Sequence, residues 1–178
     1  MGGLPDYLDF GLKIVFVGYN PGESSALLGH HFAGRGNQFW RLLNEAGLTE
    51  RLYRPEEDSL LLKEGYGLTN IVARPSKSSS DLTPGEMKGG ALELRRKISG
   101  YRPAVACFLG KEIYRCYAGL KSAAPVKYGL VDNIMFPGIK EFVAPNSSGR
   151  STIPYPEKLS VFSLLKLYSE NDSRNCLI

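Results

Sequence analysis

Ile14-Val15-Phe16-Val17, a run of β-branched and aromatic residues, leads directly into Gly18-Tyr19-Asn20-Pro21-Gly22. Such a run reads as a buried parallel strand, and Asn, Pro and Gly together turn a backbone sharply out of a sheet. Asn20 is therefore expected at the carboxyl edge of the sheet. Open α/β folds bind ligands there, and the flanking glycines, Gly18 and Gly22, let backbone N–H groups come close to one. The chemistry open to Asn at that place is narrow. Its amide oxygen can hold a water molecule, but an amide cannot serve as a general base near neutral pH as Asp or Glu can. A plain Asn-Pro-Gly turn is the other reading of the same pentapeptide.

Two more polar loops carry candidate chemistry. Gly29-His30-His31-Phe32-Ala33-Gly34-Arg35-Gly36 ends at Asn37, which reads as the N-cap of a helix whose apolar positions are Phe39, Trp40, Leu42, Leu43 and Ala46, with Gly47 as its stop. Far downstream, Phe142-Val143-Ala144-Pro145 leads from a strand into Asn146-Ser147-Ser148-Gly149-Arg150-Ser151. Two polar turns at strand ends can face each other across one cleft. His30 and His31 are the chain's two histidines. Adjacent residues rarely chelate together, and the cysteines lie far off in sequence, so no metal site is expected. His31 reads as a neutral donor or as a partner that orders its loop.

The elements that must hold these loops follow from periodicity. Runs at 14–17, 105–109 and 142–144 read as strands, and helical patterns span 37–46, 84–98, 111–117 and 156–169, with Pro84 suited to a first turn. The fold class expected is α/β: a three-layer α/β/α arrangement around a central, mostly parallel sheet. At 178 residues, 43% of them hydrophobic, the chain has the size and apolar content of one domain spanning 1–178. Its end from Ser169, with about residues 169–178 as a polar tail, reads as solvated or disordered. Three cysteines, an odd number in no CxxC pattern, argue against a disulfide framework or structural zinc and for a reducing compartment. Cys107 reads as a core residue. No signal-peptide or membrane-spanning pattern is visible, so a soluble intracellular protein is expected, nuclear in a eukaryote and cytoplasmic in a bacterium. A net charge of +4 allows a local phosphate-binding patch without demanding one. There is no GxGxxG after Val17 and no GxxxxGK[ST] anywhere, which sets aside the common nucleotide-binding folds.

Residues 14–40 resemble the first motif region of the mismatch-specific uracil and thymine DNA glycosylases of the uracil-DNA glycosylase superfamily. Gly67-Leu68-Thr69-Asn70-Ile71-Val72-Ala73-Arg74-Pro75 resembles that family's central strand and loop, Gly89-Gly90 its following helix, and Ala144 to Ser151 its second motif. The similarity covers about residues 10–170. It implies the uracil-DNA glycosylase-like version of the fold and a monofunctional enzyme that flips uracil, and more weakly thymine or other damaged pyrimidines, out of mismatched double-stranded DNA and so starts base excision repair.

Breaking an N-glycosidic bond builds positive charge on the sugar and negative charge on the departing base. The resemblance implies that Asn20 positions the attacking water and that Phe32 stacks on the flipped base. It also implies that Asn70 presents a donor and an acceptor to the pyrimidine edge, with Tyr19, Gly22, Ser25 and His31 completing the base pocket. Ser25 stands where thymine-active relatives have Ala, and its hydroxyl is expected to crowd a C5 methyl group, so that uracil is preferred to thymine. In the second motif, Arg150 is expected to enter the space left by the flipped nucleotide, with a phosphate contact as its other reading. Ser147, Ser148 and Ser151 are expected to donate to phosphates, and Gly149 to allow close approach to DNA. The motif combines an Asn at its start, as in the bacterial type, with Arg at the wedge, as in the eukaryotic type. No cofactor and no metal are expected, and the protein is expected to act as a monomer. A catalytically silent DNA-binding module is the alternative reading.

Overall fold

The structure is a computed structural model and describes residues 2–132 and 135–170. The apolar run that opens the chain's chemistry forms β1 (Ile14–Gly18), every residue of it buried. It is followed by α1 (Glu23–Leu28), α2 (Phe39–Glu45), a 3-10 helix (Pro55–Glu64) and β2 (Tyr66–Asn70). A short 3-10 turn (Ser79–Asp81), α3 (Pro84–Tyr101), β3 (Val105–Leu109) and α4 (Lys111–Ala118) come next, and β4 (Gly129–Leu130), β5 (Lys140–Ala144) and α5 (Tyr155–Glu170) complete the order.

The strands pair in the order β2-β1-β3-β5-β4. All contacts are parallel except that of β4, which closes the β5 edge antiparallel. Strand alternation divides the core between two faces. Ile14, Phe16, Cys107 and Phe142 pack beneath α2 and α5, with Trp40, Leu43, Phe162 and Leu165. Val15, Val17, Phe108 and Val143 pack beneath α3 and α4, with Leu94, Ile98, Ile113 and Tyr117. This is the layered α/β arrangement expected. Cys107 has no exposed surface, and burial pushes its thiol well above the ordinary range.

Pro84 opens α3 behind a Thr83 N-cap, whose hydroxyl accepts from the Glu86 N–H at 3.2 Å. Two expectations need correction. Asn37 is not the N-cap of α2. That helix starts at Phe39 behind Gln38, and Asn37 forms a turn one residue earlier, its Oδ1 accepting from the Phe39 N–H at 3.0 Å. The polar tail does not begin at Ser169 either, because α5 continues to Glu170. Ser169 is only 6% exposed, its Oγ donating to the Lys166 carbonyl. The rest of that tail lies outside the described residues. Helix α1 and the 3-10 helix at 55–64 had no clear periodic signal. No helix among the described residues is long and apolar enough to cross a membrane.

Glu141 of β5 is a carboxylate inside the α3–α4 layer, 1% exposed. Its Oε1 accepts from the Met135 N–H at 2.9 Å and the Tyr117 hydroxyl at 3.2 Å, while Oε2 has no hydrogen-bond partner among the described residues. Burial raises its pKa above the ordinary carboxylate value. A raised folded pKa stabilises the fold below the unfolded pKa, and that contribution is lost as pH rises through the folded value. Glu141→Gln should therefore compare less favourably with wild type at about pH 3.5 than at about pH 8, a sign readable from urea midpoints at the two values.

Candidate active site

Parallel pairing places Gly18, the last residue of β1, beside Asn70, the last residue of β2. A Cβ on Gly18 would collide with Asn70 Oδ1 and would lie 3.5 Å from the Phe32 ring. Glycine at 18 is thus what lets the Asn70 amide and the Phe32 ring converge on one strand end. Phe32 itself stacks on Phe39, with ring centroids 4.0 Å apart and planes at 25°. It holds a left-handed backbone at φ 53°, an unfavourable conformation for an aromatic residue that the surrounding packing must maintain. Half-buried, Phe32 packs against the α2 layer.

Asn20 follows immediately. Its Nδ2 donates to the Arg74 carbonyl at 2.9 Å, to Ser76 Oγ at 2.8 Å and to the Pro21 carbonyl at 3.3 Å. A carbonyl accepts only from a donor, so this cradle sets the amide's orientation and leaves Oδ1 as the group turned outward. The cradle is itself anchored. The Ser76 N–H donates to the Pro21 carbonyl, Ser76 Oγ donates to the Ser78 carbonyl at 2.6 Å, and Arg74 pairs with Glu86 of α3. The guanidinium of Arg74 and the Thr83 cap hold the Glu86 carboxyl down at about 2.

The loop between α1 and α2 is tied from below. Asp58, 1% exposed in the 3-10 helix, accepts from the His31 backbone N–H at 2.9 Å and meets His30 Nδ1 at 3.3 Å. His31 is also 1% exposed, and its Nε2 donates to the Pro5 carbonyl at 2.8 Å. This bond ties the His31 loop to the N-terminal segment. The His31 ring lies beside those of Tyr7 and Phe32, with centroids 5.6 and 6.0 Å away. Ser25, buried in α1, accepts the Ala33 N–H on its Oγ at 3.0 Å, which commits its hydroxyl to the residue after Phe32. Gly22 is exposed and caps α1, and no protein atom lies where its Cβ would be. Tyr19 packs its ring against the α3–α4 layer, across the sheet from Phe32. Its contribution at the strand end is its main chain, since its carbonyl accepts from the Val72 N–H.

The second motif docks against the first, as its position at a strand end suggested. A Cβ on Gly149 would lie 2.5 Å from the Gly36 carbonyl oxygen, so the two loop backbones touch where only glycine fits. The Gln38 N–H donates to the Ser147 carbonyl at 2.9 Å. Arg150 is exposed, and its guanidinium donates to the Lys77 carbonyl at 3.5 Å. Ser148 Oγ accepts the Arg150 N–H at 3.2 Å, and Ser151 Oγ accepts the Ile153 N–H at 3.4 Å. Both serines shape the turn while staying half-exposed. Ser147 is a correction: at 2% exposure it lies under the loop and cannot reach a phosphate in this conformation. Among the described residues no cluster of His, Cys, Asp or Glu could hold a metal ion.

Three contributors were missed in the sequence. Ser76 and Asp58 gave no local signal. Lys158 did, because it stands in phase with Phe162, Leu165 and Ser169, the buried positions of α5. A Lys on an apolar stripe is a buried cation that must have partners.

Residues 5–166 match the family described as the uracil DNA glycosylase superfamily, and the chain belongs to that superfamily. Over 182 aligned positions it is 36% identical to the G/U mismatch-specific uracil DNA glycosylase of Schizosaccharomyces pombe, with 97% of this chain and 54% of that protein covered. The chain thus spans about half the length of this curated relative. The fold is similar to the solution NMR structure of a candidate uracil DNA glycosylase from Methanosarcina acetivorans, with a TM-score of 0.57 and 23% sequence identity. That match covers 92% of this chain and 97% of the other.

Burial lowers the His31 pKa below its ordinary value of 6.5. A lowered folded pKa means that the unfolded chain binds the proton more readily. The contribution to stability is whole above the unfolded pKa and is lost as pH falls through the folded value. Wild-type Tm should consequently drop more than that of His31→Gln between about pH 7 and about pH 5, as followed by calorimetry.

Proposed function

We propose that this chain is a monofunctional DNA glycosylase that flips uracil, and more weakly thymine, out of mismatched duplex DNA and hydrolyses its N-glycosidic bond. The observation that carries this reading is the cradle of Asn20. With Nδ2 held by Arg74 and Ser76, Oδ1 is preset to hold a water at the sheet edge where Phe32 and Asn70 converge. The S. pombe relative is named for uracil in G/U mismatches, which supports uracil opposite guanine as the substrate.

A base in a duplex cannot reach a strand end at the floor of a cleft, so the nucleotide turns out of the stack at a cost of a few kcal/mol. Phe32, braced from behind by Phe39, offers the extruded pyrimidine a ring to stack on. Asn70 pairs with its polar edge. As the C1′–N1 bond breaks, its electron pair leaves with the base, and the water held by Asn20 forms the new bond to C1′ and releases its proton to solvent. Asn20 cannot take that proton, so the rate depends on the leaving group, which favours uracil over unmodified cytosine. Ser25 stands on the C5 side. Its hydroxyl is already bound to Ala33 and cannot readily turn away from a methyl group, in keeping with weaker action on thymine. Exposed Arg35, Lys77 and Arg150 lie on the loops that meet at the cleft and supply charge for phosphates.

Asn20→Ala should bind uracil-containing duplex normally while base release falls by about 100-fold or more, measured as abasic product in single-turnover assays. Wild-type product formation by that variant would identify a different water-holding group, and no product from the wild-type chain would leave a silent DNA-binding module. Borohydride should trap no enzyme–DNA adduct, because water is the nucleophile and no lysine amine attacks the sugar.

Arg150 is taken to fill the vacated base position. On that reading Arg150→Ala loses excision on duplex far more than on single-stranded uracil DNA, where little stacking opposes extrusion. A phosphate contact alone would instead weaken all duplexes alike and lower the salt slope of log K by about one.

A further inference from the structure

Lys158 sits in the first turn of α5 with 1% of its surface exposed. Its Nζ donates to Gln38 Oε1 at 2.9 Å and to the Ser148 carbonyl at 3.1 Å. Among the described residues no carboxylate lies within ion-pair distance of it. The placement is costly in three ways. The ammonium is buried, it has no opposite charge, and it stands at the positive end of a helix dipole. Burial accordingly lowers its pKa. Its two acceptors belong to the two loops that meet beside the sheet edge: Gln38 begins α2 after the first loop, and Ser148 precedes Gly149 and Arg150 in the second.

We infer that Lys158 is a positioning residue for duplex opening: its ammonium ties the 146–151 turn to the start of α2 and so sets the height at which Arg150 meets DNA. The same junction carries the Gln38 N–H to Ser147 carbonyl bond and the Gly149–Gly36 contact. Neither of these reaches a side chain that could adjust. Lys158 instead spans both loops with one flexible stem, and its removal would leave the Ser148 carbonyl and the Gln38 amide without their shared donor. The turn would then lose its support from beneath, two residues before Arg150. Asn20 and Asn70 lie outside this junction, and Phe32 meets it only through its stack on Phe39, so the chemistry on an already extruded base should be spared.

This inference rests on the glycosylase reading and on the wedge role of Arg150. The test measures single-turnover excision on a G·U duplex and on single-stranded uracil DNA for wild type, Lys158→Met, Arg150→Ala and the double variant. Lys158→Met should lose about tenfold or more on duplex and less than about threefold on the single strand. In the double variant the duplex rate should fall no further than about threefold below the worse single variant, because both changes disable one wedge. Lys158→Gln, which keeps an N–H donor, should recover part of the duplex rate and guards against a folding defect in the Met variant. Equal losses on both substrates, additive losses in the double variant, or no loss at all would each overturn the inference. Wild type inactive on both substrates would overturn the glycosylase reading itself.

Discussion

Parallel register between β1 and β2 brings Gly18 and Asn70 side by side at the carboxyl edge, and the rest of the site is built around that alignment. Partners in a parallel pair project their side chains to the same face. A side chain at 18 would occupy the place taken by Asn70 Oδ1 and press on the Phe32 ring. Because that place is empty of Cβ, an amide from one strand and an aromatic ring from the following loop share one strand end. The left-handed backbone of Phe32 is the local cost of bringing the ring there.

Several groups near this edge have one hydrogen-bonding atom committed to the protein. Asn20 is held by its nitrogen, which frees its oxygen. Ser25 is held by Ala33, and the loop carrying Phe32 is held by Asp58 and by His31. Dipoles fixed in this way need little rearrangement when charge develops nearby. None of the groups that hold Asn20 is a strong base: its amide nitrogen meets two main-chain carbonyls and the Ser76 hydroxyl.

The fold also places ionisable groups inside its layers and satisfies them largely with main chain. Asp58 accepts a backbone N–H, Glu141 accepts another, and Lys158 donates to a backbone carbonyl. Such groups are poor sources of net stability, since burying them costs solvation. Their value here is geometric. Asp58 and Lys158 each fasten one of the two loops that meet beside the sheet edge.

Local chemistry made part of this legible from sequence. A β-branched run followed by Asn-Pro-Gly has few conformations open to it, so the end of β1 and the edge position of Asn20 followed directly, as did Pro84 in the first turn of α3. The strand-end positions of the two motifs suggested that they face each other, and the second docks against the first. What sequence left open was the direction of individual loop side chains. His31 turns inward because Pro5, 26 residues away, supplies its acceptor. Ser147 lies beneath its loop because Gln38 binds its carbonyl. Lys158 could be read as a cation on an apolar stripe, but its partner Gln38 is 120 residues distant. A loop residue has no periodicity to orient it, so its direction is decided by whichever distant hydrogen-bonding group the packed layers bring within 3 Å or so of it.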